Sequence, residues 1–370
     1  MSPLAQVLLF ALSIAIALVT TVAYVWLIWR ADRYEKEPKL LLVAAFAWGA
    51  VPAVVLSVAA ESVFGMPVAM LAGDYAGLVA ASFVAPPVEE VAKALVLAIV
   101  FAGARSEFDG VLDGIIYGSL VGLGFALTEN IFYFVDALAT EDLPSWSLVV
   151  LGRTIAFGLN HAMFTSFTGV GLGLARFARS RGRRWLFALG GLSIAITAHL
   201  LHNLLVHTGE LCVLSLVVDW AGLSVVLLII VVASERERTW IRTQLADEVA
   251  AGVLTAELAQ RMVLRRSGWQ AVLQAWGASG VQAARLWRQL LQNGAELAIK
   301  KQQQASGVSG RGDSDTIVAL RAAILDLRQR LGDPDAAYHV ACGHCGRPIS
   351  QPAHTCPHCG DSVVSGFEGG

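Results

Sequence analysis

The sequence predicts an all-α polytopic membrane protein of seven to eight transmembrane helices, with a cytoplasmic helical tail and a small zinc ribbon. Three observations lead there. The 370-residue chain is 56% hydrophobic and 15% charged, with mean hydropathy +0.61, where soluble domains carry about 25% charged residues. Its long apolar runs lie almost wholly before Ser234. Two Cys-x2-Cys pairs stand near its C-terminus. The net charge of −2 selects no partner, and nothing in the composition asks for nucleic acid.

A helix needs about 20 apolar residues to cross the hydrocarbon. The runs that qualify are Leu4–Trp29, Leu40–Ala60, Leu71–Gly103, Val111–Val135, Leu148–Ala175, Trp185–Val206 and Leu211–Ala233. Met1–Trp29 lacks the basic start of a secretion signal and is expected to be a span. The third run is too long for one straight crossing. It is expected to tilt, or to break at Pro86-Pro87, where a helix loses hydrogen-bond donors.

Loop charges choose the orientation. Arg30, Arg33, Lys36 and Lys39, then Arg105, then Arg176, Arg179, Arg181, Arg183 and Arg184 mark alternate loops as cytoplasmic. The segments 61–70, 136–147 and 207–210 contain no Lys or Arg. This pattern places the N-terminus outside and the tail in the cytoplasm. Leu71–Gly103 then makes one net crossing, preceded by a re-entrant or interfacial piece over Leu71–Val84.

Charges inside a bilayer are expensive and mark function. "PPVEEVAK" puts Glu89, Glu90 and Lys93 in the third run, with the lysine at i+4 and i+3. "FALTEN" carries Glu129, "GLNHAMFTSF" carries His161, and "AHLLHN" carries His199, His202 and Asn203. At 1.5 Å per residue, the orientation brings these groups to similar depth on four helices. Paired carboxylates suit proton abstraction from water, imidazoles serve as acid or base, and an amide N–H stabilises an oxyanion. The alternative for each group is an internally neutralised polar contact between helices. Arg153, near the outer interface, receives no role.

These motifs resemble those of the PrsW-type intramembrane proteases, relatives of the CAAX-processing and bacteriocin-processing membrane endopeptidases. "EEVAK" matches EExxK and "FALTEN" matches FxxxE. "HAMFT" and "HLLHN" match two later histidine motifs, and "DRYEKEP" (Asp32–Pro38) matches a loop. The resemblance covers about residues 24 to 235. It implies that Glu89 activates the hydrolytic water while Glu90 and Lys93 order the site. It gives Glu129 the second-motif position, His199 an acid–base role, and Asn203 the oxyanion. It further implies a membrane-anchored protein substrate, such as an anti-sigma factor, in a bacterial plasma membrane. A catalytic metal is not expected, since no HExxH pair occurs; Glu, Glu and His nevertheless leave zinc open. The rival readings are a proton-coupled transporter and a non-catalytic receptor signalling through its ribbon.

The domain boundaries expected are a catalytic domain over 1–234, an amphipathic helical region over 235–304, a flexible linker over 305–315, a short helix over 316–335 and the ribbon over 338–364. From Glu235 to Leu331 there are 14 Lys/Arg against 9 Asp/Glu, a balance suited to an anionic leaflet or to a solvated helix pair. Asp315–Leu331 is amphipathic and suits self-association. Cys342, Cys345, Cys356 and Cys359 are expected to hold a structural zinc; His344, His354 and His358 are substitute ligands. A cytoplasmic protein partner for the ribbon is expected.

Overall fold

A computed structural model describes residues 3–31, 37–105, 107–140, 143–209, 211–306, 313–336, 339–350 and 355–362. The chain forms two compact units that divide between Ala233 and Ser234.

In the first unit, α1 (Pro3–Ala31) and α2 (Lys39–Trp48) open the bundle. A π-helical turn at Gly49–Ala53 accommodates Pro52 and leads into α3 (Val54–Ala72). The chain turns over Gly73–Tyr75, then forms the single turn α4 (Ala76–Val79), a second π turn (Ala80–Val84) and α5 (Ala85–Gly103). There follow α6 (Val111–Thr140), α7 (Leu143–Leu151), a third π turn (Gly152–Ala156), α8 (Asn160–Arg176), α9 (Arg181–His207) and α10 (Cys212–Ala250).

Six helical runs among the described residues are long and apolar enough to cross a bilayer. The second, Lys39–Gly103, has 65 residues and folds back at Gly73, whose φ of 52° suits a residue without Cβ. That turn corrects two expectations. The segment 61–70 is helical rather than a loop, and the break does not fall at Pro86-Pro87. Those prolines occupy the first turn of α5 directly after the π turn, and the helix runs on through them.

α6 is the central helix, 78% buried over its most apolar stretch, against 17% for α1. Gly114, Gly118 and Gly122 fall every fourth residue on its face toward α8. A Cβ at Gly114 would lie 2.1 Å from the Gly169 carbonyl oxygen, and one at Gly122 would lie 2.2 Å from that of His161. The two backbones therefore touch directly, as small residues permit between helices in lipid. Outer positions such as Leu4, Val19, Ile99 and Val213 stay exposed, as a lipid-facing surface requires.

In the second unit, the end of α10 packs with α11 (Ala256–Val263), α12 (Arg265–Ala305) and α13 (Asp313–Arg330) around Ile241, Leu245, Leu254, Leu290, Leu297 and Ile324. Thr255 caps α11 by accepting from the Leu258 N–H at 3.2 Å, and α12 kinks at Gly280. The helix expected for self-association packs on α12 of its own chain. Of the expected linker, residues 307–312 lie outside the described residues. Glu248, fully buried, meets Lys301 at 2.8 Å and Arg321 at 2.7 and 2.9 Å. Arg321 also donates to the Cys345 carbonyl at 2.7 Å. The ribbon begins with β1 (His339–Ala341) antiparallel to β2 (Pro348–Ser350), His339 facing Ser350.

Candidate functional site

α5 presents Glu89, Glu90 and Lys93 to the bundle interior, all buried. An ammonium has three protons to donate, and Lys93 Nζ meets three acceptors. Glu90 Oε1 lies at 2.9 Å, His161 Nδ1 at 3.0 Å and Glu89 Oε2 at 3.1 Å. The Phe125 ring covers it at 3.8 Å.

The two glutamates differ in their surroundings. Glu90 has no exposed surface and is surrounded by donors: Lys93, the Thr165 hydroxyl at 3.0 Å and His199 Nδ1 at 3.2 Å. Glu89 keeps 7% exposure and has Lys93 at 3.1 Å, with His199 Nε2 3.9 Å away. Glu90 is saturated, whereas Glu89 retains an acceptor face.

The partners fix the imidazole tautomers. Lys93 can only donate, so His161 Nδ1 accepts and the ring proton sits on Nε2, 2.6 Å from Glu129 Oε2. Glu90 can only accept, so His199 donates from Nδ1 and its Nε2 lone pair faces Glu89. The rings of His161 and His199 stand perpendicular at 5.0 Å, and Phe164 stacks on His199 at 4.7 Å.

The structure brings Glu89, Glu90, Glu129, His161 and His199 into one cluster. Asn203 stands apart from these contacts, one of its N–H groups donating to the Ala81 carbonyl at 2.8 Å and tying α9 to the π turn before α5. In "DRYEKEP", residues 32–36 lie outside the described residues; Glu37 accepts from the Tyr117 hydroxyl at 2.5 Å.

Sequence reasoning missed Arg153. Its Nη2 lies 2.7 Å from Glu129, its Nε donates to Asn130 at 2.8 Å and it covers the Tyr133 ring at 3.8 Å. It therefore holds the carboxylate that faces His161. The cue was an arginine inside "LVVLGRTIAFG", where intramembrane charge implies a partner. Also missed were Thr165, Asn160 and Asp219.

Glu89, His161 and His199 each offer one ligand atom, all within 4.8 Å of one another. Cys342, Cys345, Cys356 and Cys359 form a second such group. The two cysteine turns repeat one pattern: Cys342 N–H to Arg347 and Gly346 N–H to Cys342, then Cys356 N–H to Asp361 and Gly360 N–H to Cys356, all at 2.8–2.9 Å. Gly346 and Gly360 take φ of 71° and 75°. Sγ–Sγ distances are 3.8 Å for Cys342–Cys359 and 3.7 Å for Cys345–Cys356. The edge of a tetrahedron with 2.3 Å metal–sulfur bonds is about 3.8 Å, so the four thiols are spaced to hold a metal ion. Burial pushes the Cys345 thiol up to about 12. At Cys356 burial is outweighed by the His358 and Cys359 N–H groups, which bring the thiol down to about 7. Among the substitute histidines, His354 lies outside the described residues.

Residues 37–234 match the family described as PrsW family intramembrane metalloprotease. The chain is 30% identical over 162 residues to Protease PrsW of Geobacillus kaustophilus (strain HTA426), covering 42% of this chain and 64% of that relative. It is 31% identical over 169 residues to Protease PrsW of Clostridioides difficile (strain 630), covering 45% of this chain and 68% of that relative. No solved structure matches. A family match that spans more than half of the chain and contains the whole buried cluster is decisive: the chain belongs to the PrsW family.

Proposed function

We propose that this chain is an intramembrane endopeptidase that hydrolyses a peptide bond of a membrane-anchored protein, with Glu89 as the base. The observation that carries this reading is the contrast between the two glutamates. Glu90 is enclosed by donors, while Glu89 keeps an acceptor face beside a histidine lone pair. Water bound at Glu89 gives up a proton to its carboxylate as the oxygen adds to the scissile carbonyl carbon. When the tetrahedral intermediate collapses and the C–N bond breaks, the leaving nitrogen takes a proton from Glu89, directly or through His199 Nε2. Asn203 keeps one N–H for the oxyanion. Lys93 holds the two carboxylates and His161 in one arrangement, and Arg153 with Glu129 fixes the His161 ring.

The family description implies a metal, and the donor types are those of one, but the lone pairs it would take on His161 Nδ1 and Glu89 Oε2 are held by Lys93, so an ion would enter only with that ammonium displaced. Two imidazoles and a carboxylate form a donor set used for catalytic zinc, and a carboxylate stands behind each ring, Glu129 at His161 and Glu90 at His199. When bound there, an ion supplies Lewis acidity to the carbonyl or to water. Two of its three ligand residues, Glu89 and His161, are also partners of the Lys93 ammonium.

In the ribbon we assign a structural zinc to the four cysteines, since S4 coordination leaves no open position. The first cysteine turn is engaged within the chain, by Arg321 at the Cys345 carbonyl; a cytoplasmic partner would meet the rest of the ribbon. The basic loops support an external N-terminus and a cytoplasmic tail, and an anti-sigma factor is the substrate class we favour.

Purified protein in proteoliposomes should cleave a membrane-anchored substrate, while Glu89→Gln and His199→Ala should not. Unchanged cleavage by both variants would overturn the mechanism.

A further inference from the structure

Asp219 is a carboxylate that the mechanism above leaves unused. It lies within an apolar stretch of α10, only 2% exposed, and among the described residues no lysine or arginine pairs with it. A carboxylate in such a place is costly unless donors surround it. One of its oxygens, Oδ2, is shared by three: His202 Nδ1 at 2.7 Å, Asn160 Nδ2 at 3.0 Å and the Ser215 hydroxyl at 3.0 Å. The set has the composition of a Ser–His–Asp triad but not its wiring. Ser215 and Asp219 both approach Nδ1 of the ring, so His202 cannot pass a proton between them.

Two of the three donors stand beside the site's histidines in the chain, while Ser215 is one turn from Asp219 on α10 itself. Asn160 begins α8 and immediately precedes His161. His202 lies on α9, three residues after His199. α10 meets the chain on either side of the start of α8 at two more points. Trp220 Nε1 donates to the Ala156 carbonyl at 3.1 Å, and Gly222 lies so close to Met163 that a Cβ would come within 2.6 Å of its sulfur. The His161 and His199 rings meet at 5.0 Å without bonding each other; each bonds the Lys93–Glu90 pair, which orients the rings but does not tie α8 to α9.

We infer that Asp219 is a positioning residue of the site: by holding Asn160 on α8 and His202 on α9 to one carboxylate oxygen, it clamps together the helix segments that carry His161 and His199. It touches neither of those rings and reaches them through one residue of α8 and one turn of α9. This rests on reading the Glu89 cluster as the hydrolytic site. Misplacing a reacting group by about 1 Å costs on the order of 100-fold in rate, so releasing the clasp should lower kcat and leave substrate affinity in place.

The test uses full-length protein in proteoliposomes, with ¹⁵N-labelled histidine. In Asp219→Asn, kcat should fall about tenfold to a hundredfold with KM within about twofold, and the ring ¹⁵N signals of both His161 and His199 should move. Two milder variants separate the arms. Asn160→Ser should move the His161 signal and leave His199 in place, and His202→Gln should do the reverse. A kcat within twofold of wild type, or ring signals that move for His202 alone, would overturn the inference. If Asp219→Asn does not fold, the two single-arm variants decide it by the same signals. A wild type that cleaves no peptide would overturn the peptidase reading instead, and the ring signals would still report whether Asp219 clamps the two segments.

Discussion

Glu89 and Glu90 are consecutive on one helix yet have different surroundings, so neutralising them should have different consequences. Glu89→Gln removes the group with a free acceptor face and should abolish cleavage while changing thermal stability little. Glu90→Gln leaves Lys93, Thr165 and His199 facing an amide in place of a charge. Breaking a buried pair from one side costs about 3–5 kcal/mol, so this variant should unfold at a clearly lower temperature in micelles. Equal melting temperatures for the two would contradict the division of labour. Arg153→Met should leave Glu89 intact but free Glu129 and the His161 ring, lowering kcat about tenfold to a hundredfold; full activity would show that Arg153 serves only the interface. The carboxylates and histidines were legible in the sequence because charge in an apolar run stands out. Arg153, near the outer interface, has no role in the sequence reading, and Asp219 is absent from it, because a lone charge names no partner until the helices are assembled.

At the scale of elements, the contact of α6 with α8 places the cluster. His161 lies opposite Gly122, and Ser119 meets Ser166 at 2.8 Å further along the same face. Gly118→Leu should separate the two backbones, since even a Cβ there comes within 2.7 Å of the Thr165 carbonyl oxygen. We expect loss of cleavage together with lower yield of folded protein, checked by size-exclusion profile and activity side by side; wild-type behaviour in both would mean that the backbones do not touch. The spans themselves were legible, because length and hydropathy suffice for a helix in lipid. The turn at Gly73 was not. A proline pair looks like a stronger breaker than one glycine, yet the helix passes from the π turn straight through both prolines, and the positive φ of Gly73 reverses the chain.

At the scale of the whole molecule, the membrane-embedded cluster and the cysteine ribbon belong to different compact units and should fail separately. Cys356→Ser or a strong chelator should remove about one metal ion per chain from the ribbon, read by elemental analysis. It should also raise the proteolytic sensitivity of residues beyond α13, because Arg321 then holds the carbonyl of an unsupported turn. A metal content unchanged by Cys356→Ser would overturn the assignment. The four cysteines were legible from spacing alone, whereas the docking of their first turn through Arg321 and Glu248 depends on residues far apart in the chain. The glycine face of α6 has a last consequence, for assembly. A surface that repeats every four residues fits its neighbour nearly as well when slid by one repeat, about 6 Å, so tight packing alone leaves α8 with rival resting positions. Only unique polar partners can reject a slipped bundle: Ser119 with Ser166, and His161 with Lys93. The groups proposed for hydrolysis would then also act as the proofreaders of helix assembly.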